Sequence, residues 1–415
     1  MMIRSSILGW IHLTVGALLV ALVLRTWFVL GLIEPVMVAG SSMAPQLCGS
    51  HYVGLCPQCG QSMRVATEFA APGDKVCCAS CAELDVEFRF SEVKRGDRLL
   101  IDRTAYHWRR PRRWETVVFR RPDDGGQLCV KRVVGLPGET IEVRQGDVWI
   151  DGRVAVKSLA QQRALRQRAA YGRGFSSCWV PSEPNTWQQS GATWSYSPQA
   201  GSNRCWLRYE HPGGSPISDD LTYNAQLSRP LNGVGDLMLS LLCSTEEHGA
   251  LAIEVSCCEP KLTVELDPVQ ETAVLYREDE QVHATRLTRA LRAQLGRGPF
   301  LLEVSTFDRQ LLLALEGQIV LRQPLDQLAT KCPTASPFAI APLGAKIALS
   351  DLTLWRDLYY SPLPVGVANA GPASRVDLSQ DQYFVLGDNS PISLDSRTWG
   401  PLPARLLLGR PLFAR

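Results

Sequence analysis

The chain has 415 residues, with 43 Lys plus Arg against 41 Asp plus Glu, a formal charge of +2, and thirteen cysteines. Its length exceeds that of a usual single domain, so two or three units are expected. The near-neutral balance argues against a nucleic-acid binder, whose affinity would rest on neutralising phosphates.

Ile7 to Leu24 is a run of 18 residues without Asp, Glu, Lys or Arg. As a helix it covers about 27 Å, close to a hydrocarbon core. A transmembrane anchor is therefore expected within residues 1–33, with Arg25 and Trp27 at the lipid–water boundary and the lipid bilayer as a partner. A cleaved signal peptide is the rival reading, but Pro35-Val36-Met37-Val38 offers no small-x-small cleavage site. Arg4 and Arg25 flank opposite ends, so charge does not set the orientation.

Residues 34–48 carry the segment GSSMAPQL (40–47), and 49–92 are rich in Cys and Gly. There, Cys56-Pro57-Gln58-Cys59 and Cys78-Ala79-Ser80-Cys81 form two C-x-x-C knuckles separated by 18 residues. That is the spacing of a zinc ribbon, in which four thiolates hold a small hairpin with little core of its own. Disulfides are the alternative, because Cys48 and Cys77 bring the cluster to an even six. In either case the role is structural or substrate-gating. Residues 93–156 alternate apolar and polar positions in short runs with turns at Pro137-Gly138 and Asp151-Gly152, which predicts a β-rich unit. The 157–236 stretch starts basic and Gln/Ala-rich, then becomes loop-like around Trp179, Trp187, Trp194 and Trp206. From 237 to 360 about eight short strands return at sandwich spacing, inside an inserted region of 157–375. Residues 376–415 carry the motif-dense stretch YFVLGDNSPISLDSRTWGP (383–401).

A serine hydroxyl is a weak nucleophile at neutral pH and needs a base. None of the six histidines lies in a motif-like setting. Lys131 does: in CVKRVV (129–134), adjacent Lys131 and Arg132 on a strand point to opposite faces, so one is directed inward. Bringing a lysine from about 10.4 to near 7 costs roughly 4–5 kcal/mol, within what full burial imposes, and the neutral amine then takes the serine proton.

GSSMAPQL resembles the nucleophile box of bacterial type I signal peptidases, and GDRLLID (96–102) resembles the strand after it. VVFRRP (117–122) with VKRVVGLPGE (130–139) is similar to the box bearing the family's lysine, and GDNSPISLDSRTWG (387–400) to the closing box. The resemblance covers about a third of the chain. It implies a mainly β fold: a β-barrel catalytic core in three parts (34–48, 93–156, 376–415) behind an N-terminal transmembrane helix. The implied activity is a serine endopeptidase that removes signal peptides from exported precursor proteins, bound as an added strand. By this resemblance Ser42 is the nucleophile, Lys131 the general base, and Ser393 orients the amine. Asp395 and Arg397, two apart on an extended strand, pair to hold the wall of the site, while Asp388 and Asn389 make the turn. The Ser42 N–H and whatever lies at Gly40 meet the oxyanion. Gly40 stands where one branch of the family has a serine hydroxyl, so Ser41 or a water has to compensate, and Ser390 stands where many members have arginine. Pro45 and the small Gly40 are expected to fix a tight backbone path. No cofactor is implied for catalysis, and the implied location is the cytoplasmic membrane, single-pass, with the catalytic domain on the outer side.

The 237–360 segment resembles concanavalin-like jelly rolls, with Asp308-Arg309 and Glu316-Gly317 as hairpin turns, and this admits a glycan partner. Two other readings stand beside the leading one. A self-cleaving repressor-type peptidase shares the dyad, but the anchor and the closing box disfavour it. A membrane-tethered glycan-binding or adaptor protein with an inactive peptidase core is the non-enzymatic alternative.

Overall fold

A computed structural model describes residues 2–57, 62–71, 73–78, 86–87, 92–124, 126–169, 178–198, 204–225, 227–245, 249–295, 298–326, 329–344, 346–365 and 375–413. It is mainly β. An α-helix, Met2–Val23, opens the chain and continues as a π-helical stretch, Leu24–Val29. Its side chains are described from Trp10 to Thr26, so Trp27 lies outside them. Trp10, Leu13 and Leu18 stand about two-thirds exposed or more, at 70%, 67% and 70%. Among the described residues no helix is long and apolar enough to cross a membrane.

The first sheet has seven strands in the order Ile33–Met37, Arg98–Asp102, Leu407–Phe413, Thr116–Arg120, Leu128–Gly135, Gln382–Leu386, Leu402–Pro403. It collects strands from both ends of the chain. The expected closed barrel is not formed: among the described residues this sheet is open. Both edge strands carry a proline, Pro35 and Pro403, and a proline cannot donate to a further ladder, which suits it to an edge. A separate four-stranded sheet (Arg153–Val154, Asp147–Ile150, Thr140–Arg144, Val376–Asp377) covers part of the first. Val134 and Leu386 of the large sheet share an apolar cluster with Ile141, Val143 and Val148 of the small one.

The Cys-rich stretch contributes a three-stranded sheet of His51–Leu55, Ser62–Ala66 and Glu92–Lys94. The large insertion builds two more sheets, of eight and seven strands, whose inward residues, such as Leu239 and Leu302 on one and Ile253 and Val264 on the other, form one apolar cluster. These sheets also draw on Gln167–Arg168, Trp179–Pro181, Trp187–Ser190, Thr193–Tyr196 and Leu207–Tyr209. The segment read as loop-like thus supplies strands, and Trp179, Trp187 and Trp194 are core rather than loop anchors. Glu316 and Gly317, with φ of 49° and 78°, join Gln310–Leu315 to Gln318–Pro324 as a tight hairpin. Lys331 ties the insertion to the four-stranded sheet by pairing with Asp147 as well as with Asp236, while Lys157, at the start of the insertion, pairs with Asp308 and Asp357 inside it.

Candidate active site

The chain leaves the first sheet at Met37 and re-enters regular structure at His51. The loop between them carries Ser42 and is clamped at its neck by the Gly96-Asp97 pair. Val38 N–H donates to Asp97 O at 2.9 Å, Asp97 N–H to Cys48 O at 2.9 Å, and Cys48 N–H to the Asp97 carboxylate at 2.8 Å. A Cβ at Gly96 would collide with the Val38 carbonyl, so only glycine admits this approach. Met43 and Leu47 anchor the loop in an apolar cluster with Leu99.

Lys131 reaches this loop from the strand Leu128–Gly135, paired with Thr116–Arg120 at Val117↔Lys131. Its Nζ is hydrogen-bonded to Ser42 Oγ. The lysine is buried, and burial lowers its pKa. Asp395 and, more weakly, Asp388 pull the other way, while Arg397 pushes it further down. Each of those carboxylates already has its own arginine. Arg132 makes a bidentate pair with Asp388 at 2.7 and 2.5 Å, and Arg397 pairs with Asp395 at 2.8 and 2.7 Å. Negative charge that would hold a proton on the amine is thereby largely spent elsewhere.

Both adjacent basics are buried, not one. Arg132 faces away from Lys131, but Trp114, whose carbonyl accepts from Nη1 at 2.7 Å, and Asp388 close over it. Asp388 is thus a charge partner as well as a turn residue. Asn389 donates its backbone N–H to Ser42 O and its side-chain N–H to Ser41 O, each at 3.0 Å.

Asp395 and Arg397 do pair, but not on a strand. Asp395 is the N-cap of a short helix, Ser396–Trp399, and accepts from Arg397 N–H at 3.2 Å and from Gly387 N–H at 3.0 Å. The cap explains the geometry: a carboxylate there satisfies otherwise orphaned N–H groups. Arg397 Nη1 donates to Ser390 Oγ at 2.7 Å, so the serine at position 390 accepts the buried guanidinium. Ser393 Oγ is buried and makes no hydrogen bond among the described residues, so the expected bond to the Lys131 amine is not formed here. It sits against Gly387, where a Cβ would collide with it and approach Ser42 O to 2.5 Å.

The Ser42 N–H makes no hydrogen bond among the described residues. Gly40 is exposed, and a Cβ there would meet nothing within 4 Å, so the backbone path does not require a glycine at this position. Ser41 is buried, and the Tyr223 hydroxyl of the insertion donates nearby to Gly49 O at 3.4 Å. Tyr223, Asn224 and Arg132 were not singled out from the sequence. The first two lie in the insertion, with no motif to mark them.

Of the four knuckle cysteines, Cys59 and Cys81 lie outside the described residues. Cys56 and Cys78 are buried in one cluster with Met63, Val65 and Val76. Among the described residues no group of three or more His, Cys, Asp or Glu is placed to hold a metal.

Residues 86–191 and 362–414 match the signal peptidase, peptidase S26, family. The chain is 38% identical over 68 residues to the probable signal peptidase I-1 of Synechocystis, covering 15% of this chain and 35% of that protein. It is 32% identical over 91 residues to signal peptidase I of Leptolyngbya laminosa, covering 20% of this chain and 44% of that one. The chain thus spans less than half the length of these relatives. Among solved structures, a carbohydrate binding module from Bacillus subtilis overlays 43% of this chain and 94% of its own at 9% identity and a TM-score of 0.28. A protein with a galectin-like fold from the same species overlays 46% and 97% at 10% identity and 0.31. Scores this low carry no argument about fold or ligand. The resemblance that bears on the site is therefore to signal peptidases, and it lies in the stretches that hold Lys131 and the closing box.

Proposed function

We propose that this chain is a membrane-tethered serine endopeptidase that cleaves signal peptides from exported precursor proteins with a Ser42/Lys131 dyad. The observation that carries the reading is the hydrogen bond between a buried, deprotonation-prone lysine amine and the hydroxyl of a serine on a clamped loop. The neutral amine takes the Ser42 proton as Oγ attacks the scissile carbonyl, and the ammonium then protonates the leaving amine. The unengaged Ser42 N–H supplies one oxyanion donor. A buried hydroxyl without a partner costs about 1–3 kcal/mol, which supports a role for Ser393 in steadying the amine once it is charged. Asp395 and Arg397 hold the wall behind it.

The opening helix supports the tether. Its exposed apolar residues, from Trp10 through Leu24, lie on every face of the helix, and a helix apolar all round needs an apolar surrounding. The two knuckles support a structural zinc held by Cys56, Cys59, Cys78 and Cys81, since the first thiol of each shares one cluster.

The test is cleavage of a precursor bearing an Ala-x-Ala site by the full chain in detergent. Ser42→Ala and Lys131→Ala should each abolish cleavage. Cutting by either variant at the native rate would refute the dyad, and a native chain that never cuts would leave the tethered adaptor reading.

A further inference from the structure

The large insertion reaches the site from several sides: Ala164 O accepts from the Gln46 side chain, Ser361 O accepts from Arg397 Nη1, and a third contact lies behind the Ser42 loop. A short 3-10 turn, Thr222–Asn224, docks behind the Ser42 loop, where Tyr223 and Leu221 join Ala44 and Cys48 of the loop and Ala66 and Phe69 of the Cys-rich insertion in one apolar cluster. Beside Tyr223, Asn224 and Asn389 form a reciprocal amide pair, each side-chain N–H donating to the other's oxygen at 2.7 Å. Both residues are buried, at 5% and 0% exposure.

Hydrogen-bond accounting shows what this pair does. The Asn389 amide has two N–H donors and one oxygen. Asn224 takes the oxygen and one N–H, so the amide plane is fixed, and the remaining N–H is aimed at Ser41 O at 3.0 Å. Ser41 C=O and Ser42 N–H belong to the same planar peptide. Holding the carbonyl therefore holds the direction of the N–H that would meet the oxyanion. Asn389 N–H, on Ser42 O, fixes the next peptide in the same way. Without Asn224, the Asn389 side chain is free to turn about its last torsion.

We propose that Asn224, supplied by the inserted region, is a positioning residue that sets the Ser42 oxyanion donor through Asn389. This rests on reading Ser42 and Lys131 as the dyad. The insertion is then a working part of the catalytic unit.

The experiment compares the full chain with Asn224→Ala, Asn224→Asp, Asn389→Ala and the Asn224→Ala/Asn389→Ala double variant in detergent, on the Ala-x-Ala precursor. Asn224→Asp keeps the volume but cannot donate to Asn389. A peptide aldehyde of the same sequence is titrated in parallel, because its hemiacetal oxyanion uses the same N–H and its Ki does not depend on the fraction of active enzyme. Asn224→Ala should lower kcat about ten-fold with KM unchanged, since removing a whole oxyanion donor costs about 10²–10³ and misaiming one costs less. The Ki should rise by a similar factor, Asn224→Asp should change both in the same direction, and the double variant should be no slower than Asn389→Ala alone. Native kcat and Ki in both Asn224 variants, with Ser42→Ala inactive, would overturn this positioning role alone. Cleavage by Ser42→Ala would instead overturn the dyad on which it rests.

Discussion

Lys131 in the first, seven-stranded sheet and Lys157 at the start of the insertion are buried to the same degree, at 4% and 3% exposure. Their amines meet opposite surroundings. Lys131 faces a neutral hydroxyl, and the carboxylates near it are held by Arg132 and Arg397. Lys157 sits directly on two carboxylates, bonded to Asp308 and, at 2.8 Å, to Asp357. Burial alone would lower both pKa values. For Lys131 it prevails, whereas for Lys157 the paired carboxylates outweigh it and the value is raised. Burial is therefore not what makes a lysine a base; burial without an available counter-charge is.

The largest expected effect comes from removing the proposed base. Lys131→Met should lower kcat by about 10²–10⁴-fold while raising the Tm, by about 2–4 °C per kcal/mol gained, because a desolvated amine gives way to an apolar side chain. A lower Tm would break the contrast with Lys157. The same substitution should remove a pH dependence. Between the lowered folded-state pKa and the ordinary 10.5, the unfolded chain holds a proton that the folded chain does not. Native stability therefore rises with pH across that window, and the Lys131→Met chain should lack the rise in urea titrations.

Lys157→Met should do the reverse, costing about 3–5 kcal/mol of stability near neutral pH by stranding two buried carboxylates. The loss should shrink as pH falls and Asp308, whose carboxyl burial pushes up to about 6, takes up a proton, which urea midpoints at two pH values would show. A pH-independent loss would mean that packing, not charge, is at stake.

Arg132→Met sharpens the comparison further by giving Lys131 a counter-charge. With Asp388 unpaired, the lysine pKa should climb, so the alkaline rise in kcat should move to higher pH. An unmoved profile would show that Asp388 is too well screened to matter. The smallest expected effect belongs to Gly40→Ser. A side chain there meets open space, so the Tm should hold while the added hydroxyl raises kcat by up to about ten-fold as a second oxyanion donor. Unchanged kcat would exclude that position from the oxyanion contacts.

Much of the site was legible because its residues sit in short segments whose types announce their chemistry: the serine loop, the Lys-Arg strand and the closing box. The helix under Arg397 was also signalled, since Asp395 and Gly400 bracket Ser396–Trp399 as cap and stop, yet the alternation of Ser-x-Asp-x-Arg pointed to a strand. The early sandwich strands escaped notice because Gly, Ser and Pro surround them and three of them are only two or three residues long. Their tryptophans pack partly on near neighbours, Trp179 on Tyr209 and Trp187 on Tyr196, but their hairpin joins the sandwich through partners more than a hundred residues away, as in the pairing of Trp194 with Leu349.

By itself the sequence determined which chemistries were present: an apolar opening helix, a serine beside a proline, a lysine in a strand, paired cysteines and alternating strands. Those follow from composition and period, which act over a few residues. Tertiary structure alone decided that both Lys131 and Arg132 are buried, that the core sheet stays open, and that an asparagine of the insertion steadies the loop of Ser42. Each of these depends on what covers a surface or completes a hydrogen bond, and the covering group comes from a distant part of the chain.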